Sequence, residues 1–139
     1  MNLAIVYDSS TGNTKAAAEQ MAETVRSAGH DCTVASIQQA DPAEVTAADA
    51  ICIGSWTKGL YIILQGPTPA TLDFIGKLGR LDGKPAAVFT TYVLSGKKAL
   101  AKLTAAMSAK GSNVTGQFAS KGSHAAPDFG TWVEGLNAS

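Results

Sequence analysis

Three short runs of apolar residues constrain the fold of this chain more than any other feature of its sequence. They are NLAIVY at 2–7, AICIG at 50–54 and PAAVFTTYV at 85–93. Because most positions in them are apolar or β-branched, these runs are typical of strands buried on both faces, as in a parallel sheet. Parallel strands have to be joined by long crossover connections, so the sequence between the runs is expected to supply helices.

Weaker patterns fill the rest of the chain. Two further strands are predicted at 31–37 and 113–120, which brings the number of strands to five. Residues 55–70 carry several glycines and prolines and are predicted to be irregular. Helices are predicted at 14–28, at 41–49 with Asp41 as N-cap, from Thr71 to Leu78, from Ser95 to Gly111, and around Trp132 in the tail.

This alternation of strands and helices predicts a single α/β domain over residues 1–139. Right-handed crossovers would cover both faces of a five-stranded parallel sheet with helices, which gives a doubly wound, three-layer sandwich. Five such units fit the strand order 2-1-3-4-5, an inference from the number of units and from the loops described below.

Composition and charge exclude several classes of protein. Lys and Arg number 11, as do Asp and Glu, so the chain has no electrostatic reason to bind nucleic acid or an anionic membrane. No run approaches the roughly 20 apolar residues of a membrane span, and the apolar start is too short for a signal peptide. Cys32 and Cys52 lie in apolar runs without CxxC spacing and are predicted to be inert core thiols. We therefore expect a cytoplasmic protein.

Three loops that follow the buried strands share an unusual chemistry. They are DSSTGNT at 8–14, SWTKGLY at 55–61 and YVLSGK at 92–97, and each is rich in hydroxyl groups and glycine. Because the carboxyl ends of parallel strands point the same way, these loops are expected to meet at one edge of the sheet, where ligands bind in such folds. The loops predicted at the opposite edge, such as AGHD at 28–31, carry only ordinary turn residues.

The first loop is suited to hold an anion with uncharged groups. Ser9, Ser10, Thr11 and Thr14 offer hydroxyl donors, while Gly12 allows close backbone approach. Asn13 adds an amide, and the helix that follows adds free N–H groups and the positive end of its dipole. Hydroxyl residues before a helix are also common as ordinary N-caps. Six consecutive hydroxyl, amide or glycine residues at 9–14, directly after a buried strand, favour a phosphate site.

The stretch IVYDSSTGNT at 5–14 resembles the phosphate-binding signature of the flavodoxin family. In this resemblance Ser9, Thr11, Gly12 and Thr14 fall on the defining positions, and Ser10 and Asn13 fall on the variable ones. The resemblance extends more loosely over the whole chain and implies the flavodoxin-like fold. It also implies flavin mononucleotide (FMN) as cofactor, with its terminal phosphate in this loop.

The resemblance gives the second loop a role beside the flavin ring. It implies that Trp56 stacks on one face of the isoalloxazine, since an indole offers a large planar surface. Ser55, Thr57, Lys58 and Gly59 surround it and are polar or small, which argues against a core position for this tryptophan. Gly59 or the Thr57–Lys58 peptide is implied as the backbone group that changes orientation when flavin N5 is protonated.

The third loop is implied to cover the other face of the flavin and its pyrimidine end. Thr90, Thr91 and Tyr92 are the main candidates, and Ser95 and Gly96 lie further along the same loop. Tyr92 is predicted either to stack on the ring or simply to end the strand. The TTY ending is similar to that of short flavodoxin-like proteins rather than to the longer acidic carriers.

Positive charge is predicted around this edge. Lys58, Lys97 and Lys98 would lie near the flavin, whereas no acidic residue occurs between 83 and 128. A cation favours the anionic reduced flavin by Coulomb attraction, so we expect a hydroquinone potential less negative than that of acidic flavodoxins. The alternative is that these lysines form a solvated rim with little effect.

The apolar segment 60–64 is the least orthodox part of the chain. It is long for a loop, and such segments are often functional. It could fold over the flavin, form an extra short strand, or face a partner; packing on its own sheet edge is the alternative without a functional role.

Two classes of function remain open from the sequence. An electron carrier that passes one or two electrons between redox partner proteins needs no catalytic acid or base, and none is evident; a monomer is favoured. An FMN-dependent NAD(P)H or quinone reductase would need an open pocket over the ring. A fold that binds no flavin and serves as an interaction module is a third hypothesis.

Other kinds of site that occur in this fold or that bind phosphate require residues that this sequence does not have. A receiver domain needs a phosphorylatable aspartate after the third strand, where this chain has Gly54 and Ser55. Neither G-x-G-x-x-G nor the P-loop motif occurs, and His30 and His124 are too distant in sequence to suggest a metal pair.

Overall fold

A computed structural model describes residues 1–10, 12–56, 58–60, 63–92, 97–121 and 125–137. Its strands are β1 Asn2–Asp8, β2 Asp31–Ser36, β3 Ala50–Trp56, β4 Lys58–Leu60, β5 Ile63–Gly66, β6 Pro85–Tyr92 and β7 Asn113–Lys121. Its helices are α1 Asn13–Ser27, α2 Pro42–Ala47, α3 Pro69–Gly76, α4 Lys97–Ala109 and α5 Phe129–Asn137.

The main sheet has five parallel strands in the order β2-β1-β3-β6-β7. This is the predicted order 2-1-3-4-5 once the small strands β4 and β5 are set aside, so the predicted doubly wound topology is confirmed. The order reverses beside β1, which places the switch point of the fold at the carboxyl ends of β1 and β3.

Two apolar layers hold helices against the two faces of the sheet. Side chains alternate along each strand, so Leu3 and Ile5 of β1 pack in one layer whereas Ala4 and Val6 pack in the other. The first layer holds residues of α1 and α5, and the second holds residues of α2, α3 and α4. We refer to these faces as the α1 face and the α3 face.

A close contact joins β3 and β6 just below the carboxyl edge of the sheet. The ring of Phe89 lies over Gly54, its neighbour in register, and a Cβ added at Gly54 would stand 2.2 Å from a ring carbon. Real Cβ atoms do not approach a neighbour so closely, so any larger residue at this position of β3 would have to displace the Phe89 ring.

The segment 55–70 is more regular than predicted. Strand β3 extends through Ser55 and Trp56, and β4 pairs with β5 as an antiparallel hairpin. The extra strand considered for the apolar segment 60–64 is therefore present at Leu60 and from Ile63 onward, and residues 61 and 62 lie outside the described part of the chain.

Helix α3 begins earlier than predicted. Its N-cap is Thr68, with proline at the first helical position, whereas the sequence predicted a helix that follows Thr71. The predicted cap of α2 is confirmed, because the Asp41 carboxylate accepts a hydrogen bond from the Ala43 N–H at 3.0 Å. The predicted cap Ser95 of α4 lies outside the described residues.

Helix α5 packs an aromatic cluster at the far end of the sheet from the three loops. Trp132 stacks on Phe129 with 5.7 Å between ring centroids, and its indole N–H donates to Thr115 Oγ1 near the start of β7. None of the helices, over the residues that the structure covers, is long and apolar enough to pass through a membrane.

Candidate functional site

The three loops that the sequence singled out begin at neighbouring points of the sheet. Asp8 at the end of β1 pairs with Ser55 of β3, and Ser55 pairs with Thr90 of β6. One residue further, Trp56 pairs with Thr91. The three loops were predicted to meet at one edge of the sheet. This is confirmed for the ends of β1, β3 and β6, where the loops begin.

The turn between β1 and α1 leaves an open space above a glycine. Gly12 adopts φ +94°, in the left-handed region that favours glycine, and a Cβ added there would meet nothing within 4 Å. Its N–H donates to Ser9 Oγ at 3.0 Å, which folds the turn, and its C=O accepts from the Ala16 N–H at 2.9 Å, which starts the helix. Thr11 lies outside the described residues.

Helix α1 starts without a side-chain cap. Its N-cap is Gly12, which has no side chain with which to bind the N–H groups of the first turn, and Ser10 and Asn13 are exposed beside it. The first turns of α2 and α3 are closed by the side chains of Asp41 and Thr68. Because the first N–H groups of a helix have no partner within the helix, α1 presents donors and a positive dipole end to a ligand.

A buried pair of hydroxyl groups connects this helix start with β6. Thr14 is 1% exposed and Thr91 is 5% exposed, and their Oγ1 atoms are 2.6 Å apart. Thr14 was predicted as an anion ligand of the first loop and Thr91 as a residue of the third. The structure thus joins the start of α1 to the end of β6 on the α1 face, at the bases of the two loops.

A network of polar side chains closes the same edge on the α3 face. The Thr71 hydroxyl bonds to Thr68 Oγ1 at 2.7 Å, and Thr68 Oγ1 donates to the Asp8 carboxylate at 2.5 Å. Because the single proton of Thr68 goes to the carboxylate, Thr71 has to be the donor of the other bond. Ser55 Oγ accepts from the Thr68 N–H at 3.0 Å, so the end of β3 is tied to the start of α3.

Two of the predicted site residues use their hydroxyl groups inside this network. Ser55 Oγ donates to the C=O of Trp56 at 2.8 Å, and Thr90 Oγ1 donates to the C=O of Ser55 at 2.7 Å. Both residues are buried. Their direct contact with a cofactor stays a prediction, and the bonds shown here tie the second and third loops together at their bases.

The remaining predicted residues fall partly within the described chain. Trp56 is half-buried at the last position of β3. The backbones of Lys58 and Gly59 belong to β4, and that of Tyr92 ends β6. Thr57, Ser95 and Gly96 lie outside the described residues.

Lys97 and Lys98 open helix α4 and are exposed. No acidic residue lies in the first turn of this helix. Two ammonium groups at the positive end of a helix dipole add to its field rather than offset it.

Thr68 and Thr71 are the residues that sequence reasoning missed. Thr68 followed by proline is a helix-start signal and would have placed the cap correctly. Its bond to Asp8, 60 positions away, has no signal in the sequence.

The cysteines do not contribute reactive groups. Burial raises the pKa of the Cys32 thiol to about 11, with a smaller opposing effect of Arg26. Burial raises the pKa of the fully buried Cys52 still further. Both thiols therefore stay protonated at neutral pH, which supports their prediction as inert. Over the described ranges, no group of three or more His, Cys, Asp or Glu side chains could hold a metal ion.

Comparison with known proteins identifies a family. The family model described as Flavodoxin matches residues 5–132. A flavodoxin of Aquifex aeolicus (strain VF5) is 34% identical over 89 residues, which is 63% of this chain and 48% of that protein. This chain thus spans about half the length of that relative.

Solved structures show the same fold. Two-electron-reduced Megasphaera elsdenii flavodoxin matches with a TM-score of 0.81 at 22% identity, over 99% of both chains. A flavodoxin from the domain Archaea matches with a TM-score of 0.73 at 25% identity, over 98% of this chain and 93% of the other.

Proposed function

Because the chain belongs to the flavodoxin family, whose members bind FMN and carry electrons, we propose that it carries electrons one or two at a time between redox partner proteins. FMN when bound supplies the redox chemistry, and the protein supplies binding, orientation and the local electric field. The observation that carries the proposal is the uncapped start of α1 beneath an open glycine turn.

The first loop fits a phosphate group. The open space above Gly12 and the N–H groups of the first turn of α1 suit a dianion that only accepts hydrogen bonds. The FMN phosphate would be held by Ser9, Ser10, Thr11, Gly12, Asn13 and Thr14, all of them uncharged. These uncharged residues can bind the phosphate without a lysine, because the helix dipole and several hydrogen-bond donors together stabilise its negative charge.

The second and third loops would flank the isoalloxazine ring. Trp56 is half-buried at the end of β3, where an indole can cover one face of the ring. Ser55, Thr57, Lys58 and Gly59 would line that side. Thr90, Thr91, Tyr92, Ser95 and Gly96 would line the opposite side and the pyrimidine end.

Membership of the flavodoxin family favours a carrier over a reductase, and the described part of the site fits that function. Hydroxyl groups dominate the edge, and its one buried carboxylate, Asp8, is engaged with Thr68. A carrier needs no general acid or base, since its chemistry belongs to the cofactor. The equal numbers of acidic and basic residues argue against a strongly charged partner surface.

Titration of the protein with FMN and riboflavin tests the proposal. We expect micromolar FMN to lose its fluorescence on binding and riboflavin to bind more weakly, because it lacks the phosphate. Absence of quenching at micromolar FMN would contradict the proposal. Mixing the oxidised, FMN-loaded protein with NADH or NADPH separates the two functions: a carrier is reduced slowly by either nucleotide, whereas a reductase is bleached rapidly.

Sedimentation analysis tests the oligomeric state, for which we expect a monomer.

A further inference from the structure

The hydroxyl pair formed by Thr14 and Thr91 is positioned by two rigid elements. Thr14 is the second residue of α1, and Thr91 is the last but one residue of β6. Thr91 is held in register with Trp56 of β3 and Ser120 of β7, and its side chain points to the α1 face, as that of Phe89 does. The 2.6 Å contact therefore joins a helix start to a strand inside the sheet rather than two loops.

Counting protons shows what this contact can do. Each hydroxyl has one proton, so the contact uses one of the two protons and leaves the other on the accepting oxygen. When Thr14 donates to Thr91, the Thr14 hydroxyl can only accept further bonds and has no proton left for an anion. When Thr91 donates, the Thr14 proton is free to point toward the open turn at Gly12.

We propose that Thr91 is a positioning residue that donates to Thr14 and thereby directs the Thr14 proton to the FMN phosphate. This inference rests on the proposed function. A phosphate dianion accepts hydrogen bonds only, so its arrival selects the second of the two arrangements. The bond from Thr91 also polarises the Thr14 hydroxyl, which makes it a better donor.

The same side chain links the phosphate site to the ring site. Thr91 directly precedes Tyr92, where the described part of β6 ends and the third loop begins. A phosphate bound at the Gly12 turn would therefore favour the arrangement in which Thr91 donates to Thr14. Thr91 lies at the base of the loop that is proposed to flank the flavin.

The chain contains a matched control for this pair. Thr68 and Thr71 form a second buried hydroxyl pair, with Oγ1 atoms 2.7 Å apart, on the α3 face of the same sheet. Thr71→Val removes a buried hydroxyl bond of the same kind without touching the α1 face. It should lower stability and leave ligand selectivity unchanged.

The test is the ratio of dissociation constants for riboflavin and FMN, measured by fluorescence quenching. We expect Thr91→Val to raise the Kd for FMN several-fold more than the Kd for riboflavin, because the Thr14 hydroxyl keeps its proton but loses the donor that orients and polarises it. Thr91→Ser retains the donor and should keep the wild-type ratio, as should Thr71→Val. Should Thr91→Val not fold, Thr91→Cys replaces it with the same expected change, because a thiol is a weak donor.

Two results would overturn the inference. One is an equal loss for both ligands in Thr91→Val, which indicates a general structural role; the other is an unchanged Kd for FMN. In either case the wild-type protein still binds FMN, and the proposed function stands. If the wild-type protein itself fails to bind FMN, the proposed function is wrong and the inference falls with it.

Discussion

Helices α1 and α3 both begin at the carboxyl edge of the sheet, on opposite faces, and they begin in opposite ways. At α3 the Thr68 side chain caps the helix, bonds to Asp8 and meets Thr71, so the polar groups bind one another. At α1 the cap is Gly12, above which the structure leaves room. Similar hydroxyl-rich sequences thus give a closed, stabilising helix start and an open one suited to a ligand.

The difference teaches that a polar cluster at a sheet edge has to be judged by whether its donors are already engaged. Donors that bind buried acceptors within the protein contribute to stability. Donors that face open space contribute to binding, because a ligand can take the place of water. Substitutions on the two faces should therefore affect different measurements.

The largest effect is expected for Thr68→Val. This change removes the cap of α3 and leaves the Asp8 carboxylate without its donor from Thr68. Loss of an N-cap costs about 1 kcal/mol, and a buried acceptor that loses its partner costs a further ~1–3 kcal/mol. Chemical denaturation should show the loss, while the riboflavin-to-FMN selectivity stays at its wild-type value. If Thr68→Val instead changed the ratio of the riboflavin and FMN dissociation constants without a loss of stability, the α3 face would contribute to ligand binding, contrary to this prediction.

Gly12→Ala should affect both stability and binding. The left-handed backbone at this position costs an L-residue roughly 1–2 kcal/mol. The added methyl group also enters the open space above the turn, so FMN should bind at least several-fold more weakly.

Gly29→Ala is the matched control for this substitution. Gly29 follows the other end of α1 with φ +90°, and a Cβ there also meets nothing within 4 Å. Both variants should lose similar stability in denaturation, and only Gly12→Ala should lose affinity for FMN. Equal affinities in the two variants would exclude the turn as the phosphate site.

Trp56→Ala should weaken FMN and riboflavin alike. Stacking contributes about 1 kcal/mol beyond burial, which corresponds to roughly a fivefold change in either Kd. Trp132→Ala serves as the control because Trp132 lies in the aromatic cluster at the far end of the sheet. That variant should lose stability without a change in either Kd. A loss for FMN alone in Trp56→Ala would mean that the indole acts on the phosphate and not on the ring.

The smallest effect is expected when positive charge is removed near the third loop, where the quantity that changes is the reduction potential. Replacing Lys97 and Lys98 with Gln removes two exposed cations from the start of α4. Since a cation favours the anionic reduced flavin, the reduction potential should fall, by roughly 10–30 mV after solvent screening. Potentiometric titration at low and at high salt measures the shift, which should shrink at high salt. A potential that does not move identifies these lysines as a solvated rim.

Much of the fold could be predicted because burial on both faces leaves a strong pattern. The continuous apolar runs located β1, β3 and β6, and the hydroxyl-rich stretches after them marked the edge at which the FMN site is proposed. The apolar segment that follows Trp56 gave no comparable signal. Its pairing into the hairpin of β4 and β5 depends on backbone hydrogen bonds that the periodicity does not encode.

The polar bonds of the edge could not be predicted because they join distant positions. Thr14 and Thr91 are 77 positions apart, and Asp8 and Thr68 are 60 apart. In sequence, Ser55 and Thr90 look like ligand donors as much as Ser9 and Ser10 do. Only the structure shows that their hydroxyl groups are engaged within the protein, Ser55 with the C=O of Trp56 and Thr90 with the C=O of Ser55.

The aromatic ring seated on Gly54 has a mechanical consequence. Interlocked side chains without free volume resist compression, so the platform formed by β3 and β6 would hardly deform when the charge above it changes. Adjustments that accompany the gain or loss of an electron would then be confined to the connecting segments. For the proposed carrier, a stiff platform with small local adjustments would keep nuclear reorganisation low, which favours rapid exchange of electrons with another protein.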